Sequence, residues 1–176
     1  MRRIGAAAGW VVAVGIAGCA SVGGGQEYRA TATLEPTKGN ETAGTVTFVQ
    51  RGDKVFVNAD VRGLKAGLEH GFHVHEKGDC SSGDGMSAGG HFNPDGVPHG
   101  HVQPSDTGHA GDMPNLKADG SGNARASFEM GKMTVADGKF SIVGKGLIVH
   151  KDPDDYKSQP TGNAGPRLAC SVIKAA

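Results

Sequence analysis

Apolar and polar positions alternate over much of residues 28–173. In Tyr28–Leu34 (YRATATL), Gly44–Val49 (GTVTFV) and Lys54–Val61 (KVFVNADV), small or apolar residues take every second place and polar residues fill the gaps. A period of two puts one set of side chains on each face of an extended chain, so each segment predicts a half-buried β-strand. Arg51-Gly52-Asp53 has turn composition and sits between the last two, which makes them a hairpin. Gly71–Glu76, Asn123–Glu129, Phe140–His150 and Leu168–Ile173 are further strands, separated by Gly, Asp, Asn and Pro clusters such as ADGSGN and ADGK. No segment after the first 27 residues has a convincing helical period. Short strands, 30 glycines and 5% aromatics point to an all-β chain, an antiparallel sandwich or flattened barrel. Cys80–Leu116 is the exception, a long strandless stretch that fits a compact domain only if it is functional.

The total of 176 residues predicts one domain with an ordinary core. Arg2 and Arg3 precede an apolar stretch, Ile4–Ala17, that is too short and too rich in Gly and Ala to span a bilayer. Residues 1–18 therefore read as a secretory signal. Ile16-Ala17-Gly18-Cys19 resembles the bacterial lipobox, in which the Cys receives lipid and becomes the new N-terminus; a plain signal cleaved at nearby small residues is the alternative. The run SVGGGQE has tether composition. The expected division is a signal at 1–18, a lipidated Cys19 and flexible tether at 19–27, and a folded domain at 28–176. The expected location is the periplasm or cell envelope, anchored to a bacterial membrane.

Three cysteines are an awkward number for an exported chain until Cys19 is assigned to lipid. Cys80 and Cys170 then remain. In an oxidising compartment the two would staple a loop to the last strand, worth about 4 to 5 kcal/mol by the chain-entropy model; two free buried thiols are the alternative. Neither is a convincing metal ligand, because there is no CxxC. Eighteen basic residues balance eighteen acidic ones, and nothing in that balance suggests nucleic-acid binding.

Chemistry is concentrated in the histidines. Six of the eight, His73, His75, His91, His99, His109 and His150, fall with Asp112 in GFHVHE, GGHFNP, PHGH, HAGD and IVHK. Copper(II) favours neutral imidazole in a tetragonal field and zinc a tetrahedral mix of imidazole and carboxylate, so the inventory suits one of each. On a strand, His73 and His75 share a face, although such pairs on a barrel surface are commonly bystanders. His150 ends another strand and could join them. His91, His99, His109 and Asp112 are a set that suits zinc, and they give the strandless stretch its function.

GFHVHEKGDC, SAGGHFNP, HAGD, VHKDPDD and TGNAGPRLACSVI follow one another in an order that resembles the bacterial copper/zinc superoxide dismutase family, from about Tyr28 to Ile173. That family is a standing example of the sandwich architecture and of near-diffusion-limited catalysis. The resemblance implies a Greek-key antiparallel sandwich with long metal-binding loops, and both cofactors, copper and zinc. It places copper on His73, His75, His91 and His150, and zinc on His91, His99, His109 and Asp112, with His91 bridging as an imidazolate. The implied reaction converts two superoxide anions into dioxygen and hydrogen peroxide through Cu(II)/Cu(I) cycling, with His91 carrying a proton. Arg167 matches the arginine that attracts and orients the anion. Asp154 matches the carboxylate that hydrogen-bonds a copper and a zinc histidine, here His73 and His99.

Several features depart from the eukaryotic pattern or match no ligand position. Cys80–His91 is longer than in eukaryotic members and Lys151–Pro160 is short, so no guiding residue beyond Arg167 is assigned. His70 and His101 match no ligand position, and His101 is expected as an exposed loop histidine. Asp152 and Asp155 are expected as solvated loop charges. Monomer and homodimer are both compatible with the resemblance. The alternative functions are a periplasmic copper or zinc buffer without turnover and a structural lipoprotein stabilised by metal. Neither needs a bridging imidazole together with an anion-orienting guanidinium.

Overall fold

The computed structural model describes residues 26–101 and 107–176; the expected signal, Cys19 and most of the tether lie outside the described residues. The strands in chain order are β1 (Glu27–Pro36), β2 (Ala43–Arg51), β3 (Lys54–Arg62), β4 (Glu69–His70), β5 (Phe72–His75), β6 (Leu116–Lys117), β7 (Ala124–Met130), β8 (Gly146–His150), β9 (Arg167–Val172) and β10 (Lys174–Ala175). One antiparallel sheet runs β5-β8-β9-β1-β2-β3-β7 with β10 on β1, and β4 and β6 form a separate pair. It curls into a half-barrel. β1, β2 and β3 meander in sequence, while β9 beside β1, β8 beside β5 and β7 beside β3 require crossovers of the Greek-key kind.

Alternation in the sequence becomes alternation of faces. Ala30, Ala32 and Leu34 of β1, Val46 and Phe48 of β2, and Val55, Val57 and Val61 of β3 point inward and are at most 2% exposed. They join Phe72, Val74, Leu147 and Val149 in one core, where each fully buried Val, Leu or Phe contributes about 1.5 to 3 kcal/mol. The expected hairpin closes at Arg51↔Lys54, with Gly52 at φ 61, a left-handed conformation that glycine adopts without steric cost.

Two expectations are corrected, and three short strands are added. β1 starts at Glu27, inside the expected tether, where Glu27 pairs with Arg51 of β2. Only Gly146–His150 of the expected strand Phe140–His150 is a strand. Before it the chain turns through Ser141 N–H to Gly138 C=O and Lys145 N–H to Ile142 C=O, because Ile142 is needed as a plug over the core rather than as a rung of the ladder. β4, β6 and β10 are two residues each, too short to show a period.

Among its described residues, Cys80–Leu116 holds one 3-10 turn, Met86–Ala88, before β6 begins at Leu116. Its backbone is nevertheless fastened along the outer edge of β5. Val74 N–H donates to Gly111 C=O at 2.9 Å, Glu76 N–H to Gly90 C=O at 2.9 Å, and Phe92 N–H to Val74 C=O at 2.8 Å. The Cys80–Cys170 disulfide forms as one of the two sequence readings required, tying this stretch to β9. Ile148, Ala88 and Cys170 pack around it in a small second cluster. As a result β5 and β8 are buried on both faces, one against the apolar core and the other against the loops.

Candidate metal centre

The loop-facing side of β5 and β8 carries the chemistry. Phe72 and Val74 face the core, so the period of two turns His73 and His75 together toward the loops, and His150 at the end of β8 joins them. His91 is brought alongside by its bridge to His75, and Asp112 by its bridge to His73. The donor atoms form two buried groups, His73-His75-His91-His150 and His91-His99-His109-Asp112, and within each they lie within 4.8 Å of one another. His91 belongs to both. Its ring stands 4.0 Å from that of His73 and 5.4 and 5.5 Å from those of His99 and His109, centroid to centroid.

Hydrogen bonds decide which nitrogen of each ring remains available. His75 Nδ1–H donates to Gly89 C=O at 2.9 Å and His150 Nδ1–H to Gly165 C=O at 3.2 Å, which leaves both Nε2 lone pairs facing each other at 3.3 Å. His73 Nε2–H and His99 Nε2–H donate to the two oxygens of Asp154, at 2.8 and 2.9 Å, which leaves Nδ1 open on each. His91 Nδ1 lies 2.7 Å from Asp112 Oδ1 and turns Nε2 toward the other group. His73 Nδ1, His91 Nε2, His99 Nδ1 and His109 Nδ1 are all buried without a hydrogen-bond partner. His99 Nδ1 is 2.9 Å from Asp112 Oδ2 yet makes no hydrogen bond with it, so the contact is out of line. Buried polar atoms without partners are costly unless something else satisfies them. Lone pairs aimed at a common point, with the opposite ring nitrogens tied down, are the arrangement of metal ligands.

Charge in the centre follows from burial and these bonds. Burial, with His73 close by, lowers His91 to about 4, and burial holds His75 and His150 well below the usual imidazole range, with Arg167 adding to both. All three are neutral near pH 7, as ligands must be. Burial opposes ionisation of Asp112 and Asp154, but the His109, His91 and His99 imidazoles crowded around the first, and hydrogen bonds from His73, His99 and the Tyr156 N–H to the second, hold both well below the usual carboxylate range. Burial also opposes a charge on His99, yet the carboxylates of Asp112 and Asp154, close to its two ring nitrogens, raise it to about 9.

Arg167 begins β9 and pairs directly with His150 across a bulge in β8. Its guanidinium donates to Gly85 C=O and Gly89 C=O, both at 2.5 Å. The disulfide-tied loop thus holds a guanidinium close enough to the all-histidine group for its charge to act on His75 and His150. Asp154, 2% exposed, accepts from one histidine of each group, His73 and His99. A side chain at Gly162, φ 65, would overlap both Asp154 Oδ1 and His99 Nε2, so the glycine keeps that bridge open.

Other residues were not legible as part of the site. Asn115 clamps the Asp154 backbone, its amide donating to Asp154 C=O and accepting from Asp154 N–H, both at 3.0 Å. An Asn three residues beyond Asp112 carries no motif of its own. Lys132 Nζ donates to Gly108 C=O at 3.1 Å, beside His109. His70, 1% exposed, donates from Nδ1 to His150 C=O at 2.9 Å and so supports β8 from β4. His101 is half-buried rather than exposed, its ring 4.2 Å from that of Tyr156. Asp152 and Asp155 are exposed as expected, but Asp155 also organises its loop by accepting from the Lys157 and Ser158 N–H groups at 2.9 and 2.8 Å.

Residues 42–173 match the family model described as copper/zinc superoxide dismutase (SODC). The chain is 40% identical over 153 residues to "Superoxide dismutase (Cu-Zn) 2" of Aquifex aeolicus (strain VF5), an alignment covering 85% of this chain and 88% of that one. To the superoxide dismutase (Cu-Zn) of Paramecium bursaria Chlorella virus 1 it is 45% identical over 136 residues, covering 74% and 71%. Among solved structures, the clock protein EA4 superposes with a TM-score of 0.75 at 39% identity, covering 84% of this chain and 94% of that one. A match of this extent, on a chain whose lone pairs already converge in two sets around a shared histidine, leaves one assignment: the chain belongs to the copper/zinc superoxide dismutase family.

Proposed function

We propose that this chain disproportionates superoxide, two anions and two protons giving dioxygen and hydrogen peroxide, with copper held by His73, His75, His91 and His150 and zinc by His91, His99, His109 and Asp112. The observation that carries this reading is His91, whose two ring nitrogens face two different donor groups. The donors fit the metals: four imidazoles on one side, three imidazoles and a carboxylate on the other. When bound, copper supplies one-electron chemistry between Cu(II) and Cu(I), and redox-inert zinc fixes the donor set around His91.

The remaining work belongs to the chain. Burial keeps His75, His91 and His150 unprotonated and ready to ligate. His91 Nε2, buried without a protein partner, is the atom that can hold a proton and give it to reduced oxygen. Arg167, the cross-strand neighbour of His150, attracts the anion and orients it beside that group. Asp154 fixes the tautomers of His73 and His99 together, so that one carboxylate aligns a ligand in each set. The disulfide belongs to an oxidising, extracytoplasmic compartment.

The same proposal extends to the termini of the reading. Residues 1–18 direct export, Cys19 carries the lipid that anchors the chain to a bacterial membrane, residues up to 26 are a tether, and the catalytic domain begins with β1 at Glu27. The charged start, the short apolar stretch and the lipobox-like end support this. Mass spectrometry of the cell-envelope form should find lipid on Cys19.

The test is metal content and superoxide dismutation measured on one purified sample. One copper and one zinc per chain with rapid turnover is the expected result, and His91→Ala should abolish most of that turnover. Full occupancy of both metals without turnover would sink the enzyme reading and favour a buffer. Light scattering on the same sample separates monomer from homodimer.

A further inference from the structure

The geometry points to Gln159 as a positioning residue that sets how firmly zinc is retained, an inference that rests on the reading of His99 as a zinc ligand. Gln159 lies in the short loop between β8 and β9, sixty residues from His99 in sequence. Its side-chain amide grips the main chain of His99 from both sides. Gln159 Oε1 accepts from His99 N–H at 2.9 Å, and Gln159 Nε2 donates to His99 C=O at 2.8 Å.

The same loop also holds the ring of that histidine, through the Asp154 oxygen 2.9 Å from His99 Nε2. His99 is therefore mounted at two points, ring and backbone, by one loop. Asp154 alone would leave the imidazole free to swing about its hydrogen bond, because His99 is followed by Gly100, which constrains the backbone little. With both points held, Nδ1 stays aimed at the zinc position opposite Asp112. Asn115 makes the reciprocal clamp, reaching from the ligand-bearing loop to the Asp154 backbone. The two loops thus grip each other by paired amides on either side of His99.

Gln159 is itself exposed, so this grip is not a by-product of core packing. Replacing it removes hydrogen bonds without opening a cavity. Groups that orient a metal ligand from outside typically change metal affinity by about 10- to 100-fold, and one acting through the backbone falls at the low end.

The experiment compares wild-type holoprotein with Gln159→Met, which keeps the length of the side chain and loses both bonds. Zinc release to a chromogenic chelator should be about tenfold faster in the variant, with copper content and the Cu(II) visible spectrum unchanged. In the metal-free proteins, the His99 amide should lose its hydrogen-exchange protection while the amides of β1–β3 keep theirs. Equal zinc release rates would overturn the proposal. So would loss of both metals together with loss of strand protection, which would make Gln159 a general support of the fold. A wild-type protein that takes up no zinc would overturn this proposal and the zinc-site reading together, whereas zinc uptake with wild-type release from Q159M overturns only the former.

Discussion

Arg167 shows how a single side chain can be charged, half-buried and yet available. Burial works against its charge, but both guanidinium arms rest on carbonyl oxygens of Gly85 and Gly89, which cannot neutralise it. The Asp84 carboxylate favours the positive charge from a distance without a hydrogen bond to it, and the guanidinium stands beside His150. Arg167→Ala should therefore leave copper bound while lowering kcat/KM about tenfold or more, since focused charge raises anion association by that order. Stopped-flow dismutation at several ionic strengths checks this, and an unchanged rate would reduce Arg167 to a loop anchor. Arg167→Lys should recover only part of the rate, because a compact ammonium lacks the planar fork whose two nitrogens reach the two carbonyls separately. At this scale the candidate ligands were legible because five histidine-bearing or flanking motifs stand in one family's order, whereas a histidine pair at strand spacing alone is commonly a bystander. Asn115 and Gln159 were not legible, because an amide that grips a backbone leaves no pattern in the sequence around it. The half-buried state of His101 depends on Tyr156, 55 residues away, and equally left no local sign.

Among the elements, the stretch from Cys80 to Leu116 does the work of covering β5, and its first anchor is the disulfide. The bond closes a loop of 90 residues. By the chain-entropy model such a closure stabilises by about 4 to 5 kcal/mol. The variant Cys80→Ala with Cys170→Ala should melt roughly 10 °C or more below the wild type in calorimetry, and an unchanged melting temperature would dismiss the staple. Strand positions were readable wherever one face meets the core and the other meets water, as in β1, β2 and β3. Phe140–His150 was over-read because Phe140, Ile142 and Val143 supply apolar cover from a turn, and hydrophobic content alone does not distinguish a lid from a rung. β4, β6 and β10 depend on partners remote in sequence rather than on any repeat of their own.

For the whole molecule, the apolar core and the metal centre lie on opposite faces of β5 and β8. The sheet can therefore persist when the ligands are empty, while the loops depend on them. Removing both metals with a chelator should preserve the far-UV signature of strands and lower the melting temperature by roughly 10 °C or more, since a tightly bound ion adds several kcal/mol by mass action. Loss of the strand signature itself would show that the core cannot stand alone. The fold class was legible at this scale because alternation recurs in segment after segment. The curl of the sheet, open between β5 and β7, was not, since which strands end as edges is decided by loops rather than by strand sequence. That openness gives the loop backbone at Gly90, Phe92 and Gly111 a second duty. By occupying the hydrogen-bonding groups of Val74 and Glu76 along the rim of β5, it denies a neighbouring chain the template on which strands of different molecules join. On the proposed ligand assignment, metals that hold His91 and Asp112 in place thus also guard the protein's colloidal behaviour, keeping one copy from growing sheet upon sheet with the next.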